Sequence, residues 1–165
     1  MDTVECVAAL MADEALLEAD LRALVEASVA ELAPAADAAG ESLDYVLEAM
    51  LEAVARQPTL LASVRPRIAD YWLQLDAVPG GTHLEVVVRA AECLATAHTA
   101  SGTGLDTLEA MATDHDWRQR LVAAWTLRDR TDPDAVRLRE GLALDPFEDD
   151  DGAFLVREGA GFDED

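Results

Sequence analysis

Apolar residues in this chain recur every three or four positions, and that spacing restricts it to helices. Between Asp13 and Leu32 the apolar set is Leu16, Leu17, Leu21, Leu24, Val25 and Val29. These follow the i, i+4, i+8 rhythm of one helical face, with Glu14, Glu18, Asp20, Arg22 and Glu26 on the rest of the surface. A strand needs strict alternation. The nearest approach, Val86-Val87-Val88, runs directly into Arg89-Ala90-Ala91 and reads better as helix. Ala and Leu supply much of the 51% apolar fraction and favour helix. That fraction is too high for a disordered chain. A length of 165 residues suits one domain, burying about two-thirds of the surface its unfolded chain exposes.

Helix breakers divide the chain. The first helix is expected over 13–32, ended by Pro34 and then Gly40. Ser42 caps a second, to about Arg56, with Tyr45, Val46, Met50 and Leu51 facing inward and Pro58 stopping it. A short helix from Thr59 is interrupted or restarted at Pro66, before Trp72. Pro79-Gly80-Gly81 is the clearest break. Thr82-x-x-Glu85 forms a capping box for a helix to about Ala97, and Thr99 to Gly104 reads as a loop. Shorter helices follow over 105–113, 117–128, 133–144 and 152–158. Asp116 caps the second of these, with Gln119 at the box position, and Asp132 with Pro133 opens the third. The expected organisation is a single all-helical domain over 1–165. It comprises N-terminal helices over 1–78, helical repeats over 82–162, and a fraying acidic tail over 159–165.

The 34 acidic and 12 basic residues leave a net charge of −22, and every basic residue is an arginine. Lysine and asparagine are absent and Ile68 is the sole isoleucine, which a GC-rich bacterial genome explains. Halophily is a second explanation. The acid surplus disfavours nonspecific nucleic-acid binding and anionic membranes. It would attract and steer a basic protein partner. Cys6 and Cys93 are too few for a disulfide scaffold. The N-terminus has no basic signal-peptide region, and no apolar stretch reaches the ~18 residues of a membrane span. The expected location is the cytoplasm.

Several chemistries are excluded or lack parts. Without lysine there is no phosphate-loop, Schiff-base or kinase-type lysine. Gly102-Thr103-Gly104 lacks a strand before it and a third glycine. His83-Leu84-Glu85 has the form of a zinc-deaminase motif without its cysteine pair. Cys93 and His98 lack further zinc ligands. Asp149-x-Asp151-Gly152 with Glu158 fits part of a calcium loop, but Phe147 falls on the anchoring position. No catalytic, metal or cofactor residue is therefore assigned.

Two segments superpose at an offset of 37. Asp114 is followed by Arg120, Ala123 and Ala124, and Asp151 by Arg157, Ala160 and Gly161. The pattern resembles HEAT-like helical repeats, including the phycobilisome-lyase variety, in which an Asp precedes a hydrophobe–Arg pair and two small residues. Val156-Arg157 matches that pair, Gln119-Arg120 matches only its arginine, and Arg89-Ala90-Ala91 is an upstream echo. The likeness covers residues 105 to 162. It implies a short α-solenoid of stacked hairpins, the alternative being an irregular helical bundle. The Asp and Arg would be structural, with the Asp capping a helix or pairing with an Arg of the adjacent repeat. The implied function is protein recognition along a solenoid face.

The residues best suited to partner binding lie in this part. Trp117, Leu121 and Trp125 form a stripe that is mainly core, with Trp117 the more exposed tryptophan. Phe154 and Phe162 lie in the last repeat with no successor to cover them. Phe147, Glu148, Asp149 and Asp150 complete the expected site. The leading reading is a non-enzymatic adaptor or scaffold on a HEAT-like solenoid. The alternative is an acidic inhibitor, immunity protein or nucleic-acid charge mimic that binds a basic protein.

Overall fold

The computed structural model describes residues 1–75 and 83–161, without the side chains of Trp72 and Leu73. Among the described residues every regular element is helical: α1 (Thr3–Met11), α2 (Glu18–Glu26), α3 (Val29–Ala39), α4 (Leu43–Ala55), α5 (Pro58–Leu75), α6 (Leu84–Ala100), α7 (Leu105–Ala112), α8 (Trp117–Leu127), α9 (Pro133–Leu142) and α10 (Leu155–Gly159). The all-helical expectation therefore holds. None of these helices is long and apolar enough to cross a membrane. Two compact units form, residues 1–97 and 98–165, with the seam inside α6. The break at Pro79-Gly80-Gly81, the cap at Thr82 and the tail beyond Gly161 lie outside the described residues.

In the N-terminal unit α4 packs against α1, α2, α3 and α5. Val46, Leu47, Met50, Leu51 and Val54 are all buried along one face of it. Each contributes about 1.5–3 kcal/mol by leaving water. Tyr45, expected inward, lies just off that stripe and is 54% exposed. Along α6, Arg89 pairs with Glu52 of α4, and the Cys93 thiol donates to the Leu51 carbonyl at 3.1 Å.

The helix expected over 13–32 begins only at Glu18 and is broken once, at residues 27–28. α1 has no counterpart among the expected helices and opens with a capping box of Asp2 and Glu5. α2 stops at Glu26, and a second box, Ser28 with Glu31, opens α3. Helix α5 satisfies the backbone groups that this break exposes. The Tyr71 hydroxyl donates to the Val25 carbonyl at 2.7 Å, and Arg67 donates to the carbonyls of Val25 and Ala27. The Gln74 side-chain oxygen accepts from the Val29 amide at 3.0 Å. A break left without these partners would bury orphaned polar groups at about 1–3 kcal/mol each.

Neither internal proline ends its helix. Pro34 lies within α3 and Pro66 within α5. Both are exposed, as are Ala30 and Ala62, whose carbonyls lose their helical donors and can be hydrated instead. α6 runs on to Ala100, past the expected stop, and closes where Thr103 donates to His98 beside Gly102 at φ 63°.

In the C-terminal unit α8 packs against α7, α9 and α10. The caps at Ser42 and Asp116 form as expected. Asp132 precedes Pro133 but makes no side-chain cap bond, because its carboxylate pairs with Arg130.

Ser28→Ala removes one half of the box that starts α3. It should lower stability by about 1 kcal/mol in urea unfolding, with an unchanged denaturant slope. A loss near zero would mean that the break is set by α5 alone.

Candidate partner-binding face

The segment joining α9 to α10 is organised by one carboxylate. α9 ends at Leu142, two residues before the expected stop, and Asp145 follows the turn. Asp145 is 5% exposed. Its oxygens receive Arg120 Nε at 2.6 Å and Nη2 at 3.2 Å, a bidentate pair, and Oδ1 also accepts from the Phe147 amide at 3.0 Å. Its carbonyl accepts Arg157 Nε at 2.8 Å. Arg120 Nη1 spans to the carbonyls of Asp114 and His115, both at 2.9 Å. The two repeat arginines thus meet at one residue that the sequence pattern did not single out.

The expected pairing of a repeat Asp with an Arg of the adjacent repeat does not form at Arg120. The acid bound by Arg120 is Asp145, and Asp114 meets that arginine only through its backbone. The Asp114 carboxylate accepts from the Asp116 amide, and Asp116 is the cap of α8. Ala123 and Ala124 are fully buried. In α10 the close approach falls at Gly159, not at the expected pair 160–161. A Cβ there would come within 2.7 Å of Trp125 Cδ1 and 3.0 Å of Leu121 Cδ1.

The expected site residues separate into two groups. Trp117 and Phe147 stack on each other, with centroids 4.1 Å apart and planes within 4°. Both are half-buried, so much of their ring surface is spent on this contact. Phe154 is covered by the Arg157 guanidinium, 3.9 Å from its centroid. Asp149 is turned inward: its Oδ1 accepts from the amides of Asp151 and Ala153, closing a turn through Gly152 at φ 83°. The calcium-like spacing is thus built into a turn in which Asp149 already serves backbone donors. Glu148 and Asp150 remain exposed, as does Asp151. Phe162 lies outside the described residues.

One apolar residue was missed. Leu144 is 79% exposed, more than any other large hydrophobic side chain described. The apolar spacing alone places it at the end of a helix over 133–144. The signal was its register, because Leu138 and Leu142 share the buried face of α9 and Leu144 does not. Leu144, Phe147 and the exposed acids Glu148, Asp150 and Asp151 all lie in the one segment that joins α9 to α10.

Among the described residues no group of three or more His, Cys, Asp or Glu side chains is placed to hold a metal. Burial pushes the Cys93 thiol up to about 12 and raises that of Cys6, so neither is an activated nucleophile. His83 Nδ1 contacts Asp44 Oδ1 at 2.6 Å while its Nε2 is buried with no hydrogen-bond partner.

Asp145→Ala leaves Arg120 without its counter-charge and should cost about 3 kcal/mol in urea unfolding. Asp145→Leu combined with Arg120→Met should cost much less than the sum of the single changes, and strict additivity would refute the pair. Gly159→Ala should cost about 1–3 kcal/mol by forcing Trp125 from its position. A neutral result there would mean that α10 is not held tightly on α8.

No protein-family model, curated protein or solved structure matches the chain.

Proposed function

We propose that this chain is a non-enzymatic recognition module that docks a basic protein partner, acting as an adaptor on HEAT-like helical hairpins. The observation that carries the reading is Leu144, 79% exposed and followed within the same segment by the exposed acids Glu148, Asp150 and Asp151. An apolar anchor bordered by charge is the arrangement by which interfaces combine affinity with steering. Support for the HEAT-like part comes from the convergence of Arg120 and Arg157 on Asp145, which ties α8 and α10 to the segment between α9 and α10. The fully buried small residues Ala123 and Ala124 lie on the helix that its neighbours approach.

A second reading, an acidic inhibitor or charge mimic, is favoured by the net charge of −22 alone. The two differ in what the anchor contributes. Calorimetry with a peptide of alternating arginine and leucine separates them. For the adaptor, Leu144→Ser weakens binding about tenfold or more, as expected for an interface anchor, and added salt weakens it further. Binding that ignores Leu144→Ser but is lost when Glu148, Asp150 and Asp151 are all neutralised supports the charge mimic. No binding at low salt refutes both.

A further inference from the structure

The N-terminal unit carries a second surface of distinct chemistry. A cleft of about 570 Å³ opens between the end of α1, the connection to α2 and one face of α4. Its apolar lining includes Leu10, Met11 and Leu16, and the buried Leu21 lies beneath. Tyr45 contributes to the α4 wall. Asp13 and Glu14 line the cleft and are exposed, and neither carboxylate has a hydrogen-bond or ion-pair partner among the described residues. The third acid, Glu52, is shared with Arg89 at 3.6 Å. Arg56 also lines the cleft, eleven residues beyond Tyr45 on α4, or roughly 16 Å along the helix at 1.5 Å per residue.

This combination selects among ligands by charge and shape. A volume of this size suits a long side chain with its neighbouring backbone. A lining that mixes apolar side chains with a larger polar share, including two unpaired carboxylates, matches a group with an aliphatic stem and a cationic head. An exposed tyrosine ring favours guanidinium over ammonium, because a planar cation can stack on it. Anionic ligands are opposed both here and by the charge of the whole chain.

We propose that this cleft receives an arginine side chain from a basic segment of a partner protein. The stem lies on Leu10, Met11 and Leu16, and the guanidinium is held by Asp13 and Glu14. The proposal shares a basic partner with the C-terminal face but uses none of its residues, so either can fail while the other stands.

The backbone supplies a clean way to remove one of these acids. Asp13 sits at φ 56°, where its amide donates to Leu10 at 3.1 Å and that of Glu14 donates to Ala9 at 3.0 Å. The same turn closes α3, where Gly40 occupies the position at φ 74°. Asp13→Gly therefore deletes the carboxylate while suiting the turn.

The test titrates acetyl-Leu-Arg-Leu-amide into the full chain and follows the tyrosine ring resonances by NMR. Tyr71, fully buried, serves as an internal reference. Tyr45 should shift saturably and Tyr71 should not. Replacing arginine by citrulline, its neutral isostere, or combining Asp13→Gly with Glu14→Gln, should weaken binding roughly tenfold, as expected for losing two partly exposed charge contacts. The melting temperature of Asp13→Gly should not fall, and Leu144→Ser should leave the titration unchanged. The proposal is overturned if Tyr45 does not shift, if citrulline binds equally well, if the double variant binds like the wild type, or if a lysine peptide binds more tightly.

Discussion

Asp145 is the residue on which the C-terminal unit depends. Its carboxylate binds Arg120 and accepts the Phe147 amide, while its carbonyl takes Arg157. These contacts hold the chain in the turn after α9, with Pro146 inside that turn. They carry Phe147 onto Trp117, and Arg157 then lies over Phe154. A buried ion pair of this kind contributes little net stability against an apolar substitute of equal volume. Its effect here is geometric, because it specifies where the segment before α10 must run.

The N-terminal unit meets a similar demand with neutral groups as well as a charged one. Breaking a long helix at residues 27–28 exposes carbonyls at one end and an amide at the other. Tyr71, Arg67 and Gln74, all on α5, satisfy them. The break lets α2 and α3 each pack against α4, which a single straight helix could not do along both lengths. In each unit polar side chains select one arrangement of helices whose apolar faces alone would allow several.

This division sorts the acids by what they do. Asp145, Asp149, Asp116 and Asp114 are engaged by backbone amides or by arginine within the fold. Glu148, Asp150, Asp13 and Glu14 are not engaged in this way and face solvent. Net charge treats both sets alike, which is why the composition said little about where a partner would bind.

Helical class, most helix positions and the caps at Ser42 and Asp116 were legible because they depend on spacing within a few residues. The break at Ser28 was legible in principle, since Ser28 and Glu31 form a capping box, but a continuous apolar rhythm masked it. Pro34 and Pro66 misled because their effect depends on which way the neighbouring carbonyl faces. The stacking of Trp117 on Phe147 was not legible, because it follows from Asp145, twenty-five residues from Arg120, and no local pattern reveals that pair.

The proposed docking of a basic partner requires binding to be confined to particular acidic and apolar surfaces and not spread over a uniformly negative protein. Amide hydrogen exchange with and without the arginine–leucine peptide tests this most directly. Slowed exchange concentrated in residues 144–151 and around 10–16 and 45–56 is the predicted result. Equal protection across all acidic helices, or protection confined to other segments, would contradict it.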